Sequence, residues 1–186
     1  SIPALSPGII QILVGLSVLD TIKCLTEVES EILLKWPNDI LVPIEGQWRK
    51  ICGILVESKS TGDNNVIVAG IGINIAGKYK ENFNIPVGFT DDYSDKITYQ
   101  NINTVLNAIL ASNFEKIEAL PELTFVKLEE RLNSELSKTF SAFSNSLYRN
   151  SIVQFSRVLP DGSIEIINEN DEPLVIDESE SIDWIC

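Results

Sequence analysis

The amino-acid sequence predicts an α/β (α+β) fold, in which helices and strands share one core and a small β-unit follows. A long apolar helical pattern opens the chain, and three short apolar segments of strand character follow it. After about Arg149 the pattern changes to short strands joined by an Asp-Gly turn. With 186 residues, 44% of them hydrophobic and 22% charged, the chain suits one compact domain plus a small appendage.

The first predicted helix begins at Ser6-Pro7, an N-cap residue followed by proline at the first helical position. Apolar residues then fill nearly every face to about Cys24, which is typical of a helix buried under a sheet. The most apolar stretch, Ile9 to Leu19, is shorter than the roughly 20 residues that span a bilayer and follows no basic segment. We therefore predict a core helix, with no membrane as partner and no signal peptide.

Three strands are predicted to follow this helix. Glu31 to Lys35 is a short apolar run that a proline ends. Pro43 and Gly46 indicate a turn, after which Lys50 to Glu57 is predicted to pair antiparallel with the first strand. Val66 to Ile75 is the third apolar strand.

The second half of the chain is predicted to contain two helices and a β-unit. Residues 77–100 show no clear period and are interpreted as a long surface excursion. Apolar stripes predict amphipathic helices over 102–117 and 125–143. Strands at 152–155 and 164–167 form a β-unit that is too small to be stable without packing on its neighbour.

The composition excludes several classes of function. The 14 basic and 27 acidic side chains give a net charge of −13, which disfavours binding to nucleic-acid phosphates or anionic lipids. The chain has no histidine, so imidazole bases, His-ligated zinc and Ser-His-Asp triads are excluded. Its three scattered cysteines show no metal-ligand spacing, so we predict no protein-bound metal and a reducing, cytoplasmic location.

Three segments place polar residues or glycines where a plain core strand would not. Lys35-Trp-Pro-Asn-Asp39 projects a cation, an amide and a carboxylate from one strand end, although a solvated turn explains the same residues. In Lys50-Ile-Cys-Gly53 a lysine begins an apolar strand, for which a strand-end charge and a bulge are the structural alternative. In Ala69-Gly-Ile-Gly-Ile-Asn74 alternate glycines clear one strand face, either for a ligand or for a crossing helix.

In this order, and within the 40 residues from Lys35 to Asn74, the three segments resemble the biotin protein ligases, also called biotin-[acetyl-CoA-carboxylase] ligases. The resemblance is specific over Leu34 to Ile75 and looser over the later helices. It implies a catalytic core like that of class II aminoacyl-tRNA synthetases, with a mixed sheet flanked by helices. It also implies a small C-terminal Src-homology-three-like β-domain, so we expect domains at 1–149 and 150–186.

The resemblance implies an ATP-dependent enzyme. Such ligases join biotin to ATP as biotinyl-5′-AMP, with Mg²⁺ accompanying the nucleotide. They then pass the biotinyl group to a lysine in the biotin carboxyl-carrier domain of a biotin-dependent carboxylase. Negative charge builds on the phosphates during the first step, and lysines and Mg²⁺ stabilise it without histidine.

The resemblance also implies roles for individual residues. Lys50 contacts the biotin carboxylate and the α-phosphate, and it is the first catalytic candidate. Lys35 lies near the phosphates as a second one. Asp39 lies where the acceptor lysine arrives, which it orients or deprotonates.

Two binding sites follow from the same resemblance. The predicted biotin site consists of Lys50, Gly53, Gly70 and Gly72. The three glycines are expected to form a surface without side chains, against which the rings of biotin lie. The predicted ATP site is made by four residues: Lys35, Asn38, Asp39 and Asn74. Within it, Asn38 is expected to help hold the nucleotide or Mg²⁺.

The family's glycine- and arginine-rich biotin loop precedes its first long helix, where this chain has residues 1–7. We therefore expect an N-terminally incomplete ligase, and no N-terminal helix-turn-helix of the repressor type. Two alternatives stay open: a lipoate protein ligase, and a non-catalytic module that holds biotin or docks a carrier domain. The residues of the Lys-Trp-Pro-Asn-Asp and Lys-Ile-Cys-Gly segments favour biotin over lipoate. Sheet edges in such folds allow a homodimer, although no residue specifies one.

Overall fold

The computed structural model describes residues 6–26, 32–61, 64–78, 86–119 and 125–185 of the chain. Its first element is helix α1, Pro7–Thr26, whose Ile9 N–H donates a hydrogen bond to Ser6 Oγ at 3.2 Å. Most of α1 is buried, which confirms the predicted core helix. Its length and composition alone would allow it to span a bilayer, but 67% of its apolar window is buried inside the fold.

The central sheet has four antiparallel strands in the order β1-β2-β3-β4. Their bounds are Leu33–Lys35, Asp39–Ile44, Gln47–Thr61 and Asn64–Ile73. The predicted direct pairing between the strand that contains Lys50 and the first strand is wrong, because β2 lies between them. Glu31, the predicted start of the first strand, lies outside the described residues.

Pro43 explains why β2 escaped prediction. It lies inside β2, opposite Trp48, and not in a turn. In the described ladder β1 pairs with β2 only as far as Leu41, so the missing N–H of Pro43 falls where β2 has one neighbour and is tolerated. The turn is formed instead by Glu45 and Gly46, which have φ values of 52° and 77°.

Part of the segment predicted as a surface excursion is built into the core. The Lys50 N–H donates to the Pro86 carbonyl oxygen at 2.8 Å, and the Gly88 N–H donates to the Lys50 carbonyl oxygen at 2.9 Å. These bonds form an isolated parallel bridge between Lys50 and Val87. Further along, the segment buries Phe89 and Ile97. The surface prediction is therefore wrong for this part.

The helical predictions for the following region are confirmed. A short helix, α2, spans Thr90–Tyr93, and a 3₁₀ turn at Tyr99–Asn101 leads into the long helix α3, Ile102–Ala119. Helix α4, Phe125–Ala142, follows. Helix α3 packs on α1, and α4 packs on β1 and on the C-terminal sheet.

The C-terminal sheet is antiparallel and has the order β5-β6-β7-β8. Its strands are Leu147–Tyr148, Ser151–Val158, Ile164–Asn168 and Pro173–Ile176. The two predicted strands correspond to β6 and β7 and are confirmed. The Src-homology-three-like assignment and the boundary between residues 149 and 150 stay predictions.

The turn between β6 and β7 docks on the start of α1. Gly162 in this turn has a φ of 93°, and a Cβ there would lie 2.5 Å from the carbonyl carbon of Gly8. The buried Trp36 ring donates a hydrogen bond from Nε1 to the Gly162 carbonyl oxygen at 3.0 Å. The turn thus ties the first helix, the first strand and the C-terminal sheet together.

We expect Gly162→Ala to lower the free energy of unfolding by about 3 kcal/mol, because left-handed strain adds to an overpacked contact with Gly8. Gly46→Ala is the matched control, since Gly46 also has a positive φ but has no atom within 4 Å of its Cβ position. That variant should lose about 1 kcal/mol. Urea denaturation measures both changes, and equal losses would contradict the docking of this turn.

Candidate functional site

A row of four residues crosses the central sheet at one level. The ladder pairs Lys35 with Asp39, Asp39 with Gly53, and Gly53 with Gly72. Because opposed residues on antiparallel strands point to the same side, all four share one face of the sheet. We call it the site face; the opposite face packs on α1.

A β-bulge brings Lys50 to the site face. In a regular strand, residues three apart point to opposite sides, which would separate Lys50 from Gly53. The ladder here pairs Cys52 with β2, then leaves Ile51 unpaired and resumes at Lys50. The extra residue turns Lys50 to the same side as Gly53.

Asp39 lies between two ammonium groups, and we call these three residues the Lys-Asp-Lys cluster. The carboxylate Oδ1 is 2.5 Å from Lys50 Nζ, and Oδ2 is 3.5 Å from Lys35 Nζ. The side chains of Asp39 and Lys35 are 12% and 13% exposed, whereas that of Lys50 is 36% exposed. Two ammonium groups and one carboxylate leave one positive charge, so the cluster attracts anions on a chain whose net charge is −13.

Gly53 provides the space that Lys50 occupies. A Cβ at Gly53 would lie 3.1 Å from Lys50 Nζ and 3.2 Å from its Cε, closer than ordinary van der Waals contact. The absent side chain lets the Lys50 side chain run along β3 to reach Asp39. Gly53 therefore shapes the cluster, and its predicted contact with biotin stays a prediction.

Burial perturbs two titratable groups at the cluster. It lowers the pKa of the Lys35 ammonium; the Asp39 charge opposes this effect and the Lys50 charge adds to it. Burial, with the Asp39 charge, raises the pKa of the Cys52 thiol to about 12. Cys52 lies on the opposite face of the sheet and stays protonated, so it is no nucleophile.

The carboxamides of Asn38 and Asn74 hold the segment of β3 that carries Lys50 and Gly53. Asn38 Nδ2 donates to the Ile54 carbonyl oxygen at 2.8 Å, and the Ile54 N–H donates back to the Asn38 carbonyl oxygen at 2.9 Å. Asn74 Nδ2 donates to the Lys50 carbonyl oxygen at 3.1 Å. Both asparagines lie at the predicted site, and their contacts with nucleotide stay predictions.

Beyond the cluster, β3 and β4 leave the site face open. Gly70 and Gly72 are exposed, and a Cβ at either position would meet its nearest atom at 3.7 or 3.8 Å, an ordinary contact. Leu55, opposite Gly70, is 59% exposed, and Val68 is 58% exposed. This shallow apolar surface beside a cationic cluster suits a ligand with an apolar body and an anionic head.

A metal site is not evident in the part of the chain that the structure describes, where no three His, Cys, Asp or Glu side chains gather to hold an ion. The carboxylate of the cluster is already neutralised by two lysines. It therefore does not fit the role of a cation ligand, and Mg²⁺ would arrive with a nucleotide rather than at a protein cage.

Sequence reasoning missed one residue at the cluster, Trp184. Its ring centroid lies 5.3 Å from Lys35 Nζ. Because the tryptophan comes from the other end of the chain, no local motif or spacing signals the contact. Only the packing of α4 and of the C-terminal segment on β1 and β2 brings the two residues together.

Known proteins are similar to this chain in the sequence of residues 2–74 and in the fold. Residues 2–74, which include α1 and all of β1 to β4, match the Biotin/lipoate A/B protein ligase family. This part of the chain therefore carries the sequence pattern of a ligase of the biotin and lipoate kind.

Over most of the chain, the fold is similar to that of solved biotin protein ligases. The biotin protein ligase from Aquifex aeolicus in complex with biotin and ATP matches with a TM-score of 0.67 and 22% identity, over 93% of this chain and 70% of that one. The enzyme from Leishmania major in complex with biotinyl-5-AMP matches with a TM-score of 0.52 and 18% identity, over 90% and 70%. The resemblance inferred from the sequence is confirmed.

The buried charge of Lys35 predicts a pH-dependent cost in stability. The pKa of Lys35 is lower in the folded chain than in the unfolded one, so the unfolded chain binds more protons between these two values. The free-energy cost of burying this charge is at its full value below the pKa of Lys35 in the folded chain. It decreases as the pH rises above that pKa and is gone above the ordinary pKa of lysine.

We therefore expect Lys35→Met to raise the free energy of unfolding at pH 7 by about 1 kcal/mol, since Asp39 keeps Lys50 as its partner. The gain should shrink as the pH rises. Urea denaturation across pH measures this change, with exposed Lys59→Met, expected within about 0.5 kcal/mol of wild type, as the control. A loss of stability at pH 7 would contradict the burial argument.

Proposed function

We propose that this protein is an ATP-dependent biotin protein ligase that forms biotinyl-5′-AMP and transfers biotin to a lysine of a carboxyl-carrier domain. The observation that carries the proposal is the cationic Lys-Asp-Lys cluster at the edge of an open, glycine-lined apolar face. Biotin has a polar ureido ring, an apolar thioether ring with an aliphatic chain, and a carboxylate at the end of that chain; its apolar part and its carboxylate correspond to these two parts of the site. The similar structures from Aquifex aeolicus and Leishmania major hold biotin with ATP and biotinyl-5-AMP.

In the first step, a biotin carboxylate oxygen attacks the α-phosphorus of ATP, and the bond to pyrophosphate breaks. The Lys50 side chain is the more exposed of the two lysine side chains in the cluster. We assign to it the biotin carboxylate and the α-phosphate, whose charge it neutralises as the transition state forms. Lys35 stays beside Asp39 and faces the phosphates, while Mg²⁺ comes with the nucleotide.

In the second step, the amine of the acceptor lysine attacks the acyl carbon of biotinyl-5′-AMP, and the bond to AMP breaks. When Lys50 engages the adenylate, its ion pair with Asp39 is released. The Asp39 carboxylate then has an oxygen that can orient the incoming amine and accept its proton. Asp39 thus pairs with Lys50 before substrate binds and with the amine of the acceptor lysine during the transfer.

The remaining assignments follow the geometry of the open face. Gly53, Gly70 and Gly72 are proposed as the wall for the biotin rings. Asn38 and Asn74 are proposed at the nucleotide, where their hydrogen bonds to β3 also fix Lys50. The proposed acceptor is the carrier domain of a biotin-dependent carboxylase, and the proposed location is the cytoplasm. A homodimer stays a prediction.

We expect Lys50→Ala to slow biotin-dependent exchange between ATP and pyrophosphate by about 10²- to 10³-fold, because one ammonium at the developing charge is lost. Biotin, ATP and Mg²⁺ are supplied together, and the wild type is assayed under the same conditions. Lys59→Ala is the matched control, because Lys59 is an exposed lysine on the same strand, away from the cluster.

Unchanged turnover of Lys50→Ala would contradict the role of Lys50. Lipoate in place of biotin gives the second arm of the assay. Exchange that depends on lipoate and not on biotin would assign the site to the lipoate branch of the family. Binding of biotin with no exchange in wild type would indicate a non-catalytic module.

A further inference from the structure

We propose that Trp184 is a positioning residue for Lys35, so that the C-terminal segment completes the nucleotide end of the site. The inference rests on the proposed function, in which Lys35 faces the phosphates. It concerns a residue outside the matched segment 2–74, at the opposite end of the chain.

The first observation is the contact itself. Lys35 Nζ lies over the Trp184 ring at 5.3 Å from its centroid, within the distance at which the ring quadrupole attracts a cation. The Lys35 side chain is only 13% exposed, so solvent screens the attraction weakly. Tryptophan is the strongest of the aromatic side chains in this interaction.

The second observation is that two sets of contacts fix Trp184, one on the backbone beside it and one on its ring. The preceding residue, Asp183, exchanges two backbone hydrogen bonds of 2.9 Å with Leu147 at the start of the C-terminal sheet. The ring itself packs on Phe140 and Phe143, with centroid distances of 4.8 and 5.8 Å. A ring fixed in this way presents its face to Lys35 without further ordering.

The third observation is the place of this contact on the sheet. Leu33 and Leu41 on β1 and β2 pack with Phe143 and Trp184, so the site face is covered there and open over β3 and β4. Lys35 lies at the border between the covered and the open part. The Trp184 ring therefore blocks the covered side of Lys35, so the Lys35 ammonium can meet a ligand only from the open side.

Among the described residues, the charged groups that face Lys35 are Asp39 from its own turn and Lys50 from β3. Asp39 attracts the ammonium and Lys50 repels it, and the C-terminal segment adds the neutral ring of Trp184. The ring stabilises the charged form of Lys35 and so opposes the effect of burial, which favours the neutral form. When Lys50 leaves Asp39 to engage substrate, Trp184 and Asp39 together keep Lys35 charged and in place.

The test compares Trp184→Leu with Trp184→Phe in the full-length protein. Leucine keeps an apolar side chain over Lys35 and removes the quadrupole, whereas phenylalanine keeps a weaker one. Trp48→Leu is the matched control, because Trp48 is also half-buried and packs on the same Phe143 ring, at 6.4 Å, and is not part of the proposed site.

Two readouts are taken. NMR titration of the lysine side chains should show a lower pKa for Lys35 in Trp184→Leu than in wild type, with Trp184→Phe between them and Trp48→Leu unchanged. The KM for ATP should rise about 3- to 10-fold in Trp184→Leu, corresponding to the loss of a partly buried cation–π contact. The KM for biotin should stay within twofold.

The outcomes separate this inference from the proposed function. Equal Lys35 titration and equal KM for ATP in Trp184→Leu and Trp48→Leu would overturn it. In a wild type without ligase activity, the shifted Lys35 titration would still support the positioning role and would contradict only the proposed reaction. If Trp184→Leu does not fold, Trp184→Phe decides, and a Lys35 titration identical to wild type overturns the inference.

Discussion

The contact between the Asp39 carboxylate and two lysines is the interaction on which the site depends. A carboxylate that is 12% exposed is costly to bury unless opposite charge lies beside it. Lys50 and Lys35 provide that charge at 2.5 and 3.5 Å. The three groups hold each other in place before any substrate arrives, so Lys50 is kept at the site face until the anionic groups of the proposed substrates replace Asp39 as its partner.

The surrounding fold brings these charges together and keeps them there. A bulge at Ile51 turns Lys50 to the site face, and the bare Gly53 leaves room for its side chain. Asn74 and the segment at 86–88 bind the backbone of Lys50 on both its N–H and its carbonyl oxygen. Beneath the sheet, α1 supplies the buried apolar support. A perturbation of any of these supports should therefore be detected at the cluster.

Local patterns predicted much of this molecule and most of the candidate site. The run of apolar residues identified α1, and the stripes identified α3 and α4, because helical periodicity persists over many turns. The three short motifs identified the residues that the sheet aligns in one row. That Lys50 lies on the same face as this row was not derivable from periodicity, because the bulge at Ile51 reverses the alternation on which such reasoning depends.

What the sequence did not reveal are the features set by long-range packing. Strand β2 was missed because its proline, Pro43, lies where the strand has only one neighbour and is tolerated there. The core contacts of residues 86–97 were missed because the sequence of this segment shows no helical or strand period. The contact of Trp184 with Lys35 depends on how the C-terminal segment docks, which no local motif encodes. Such contacts are decided by tertiary packing between segments that are distant in sequence.

The central claim is that one carboxylate holds both ammonium groups of the site. Double-mutant cycles in urea denaturation test it most directly, pairing Asp39→Asn with Lys50→Met and, separately, with Lys35→Met. We expect a coupling free energy above about 0.5 kcal/mol for each pair, and none between Asp39→Asn and Lys59→Met. Additive effects for both cluster pairs, within about 0.3 kcal/mol, would contradict it.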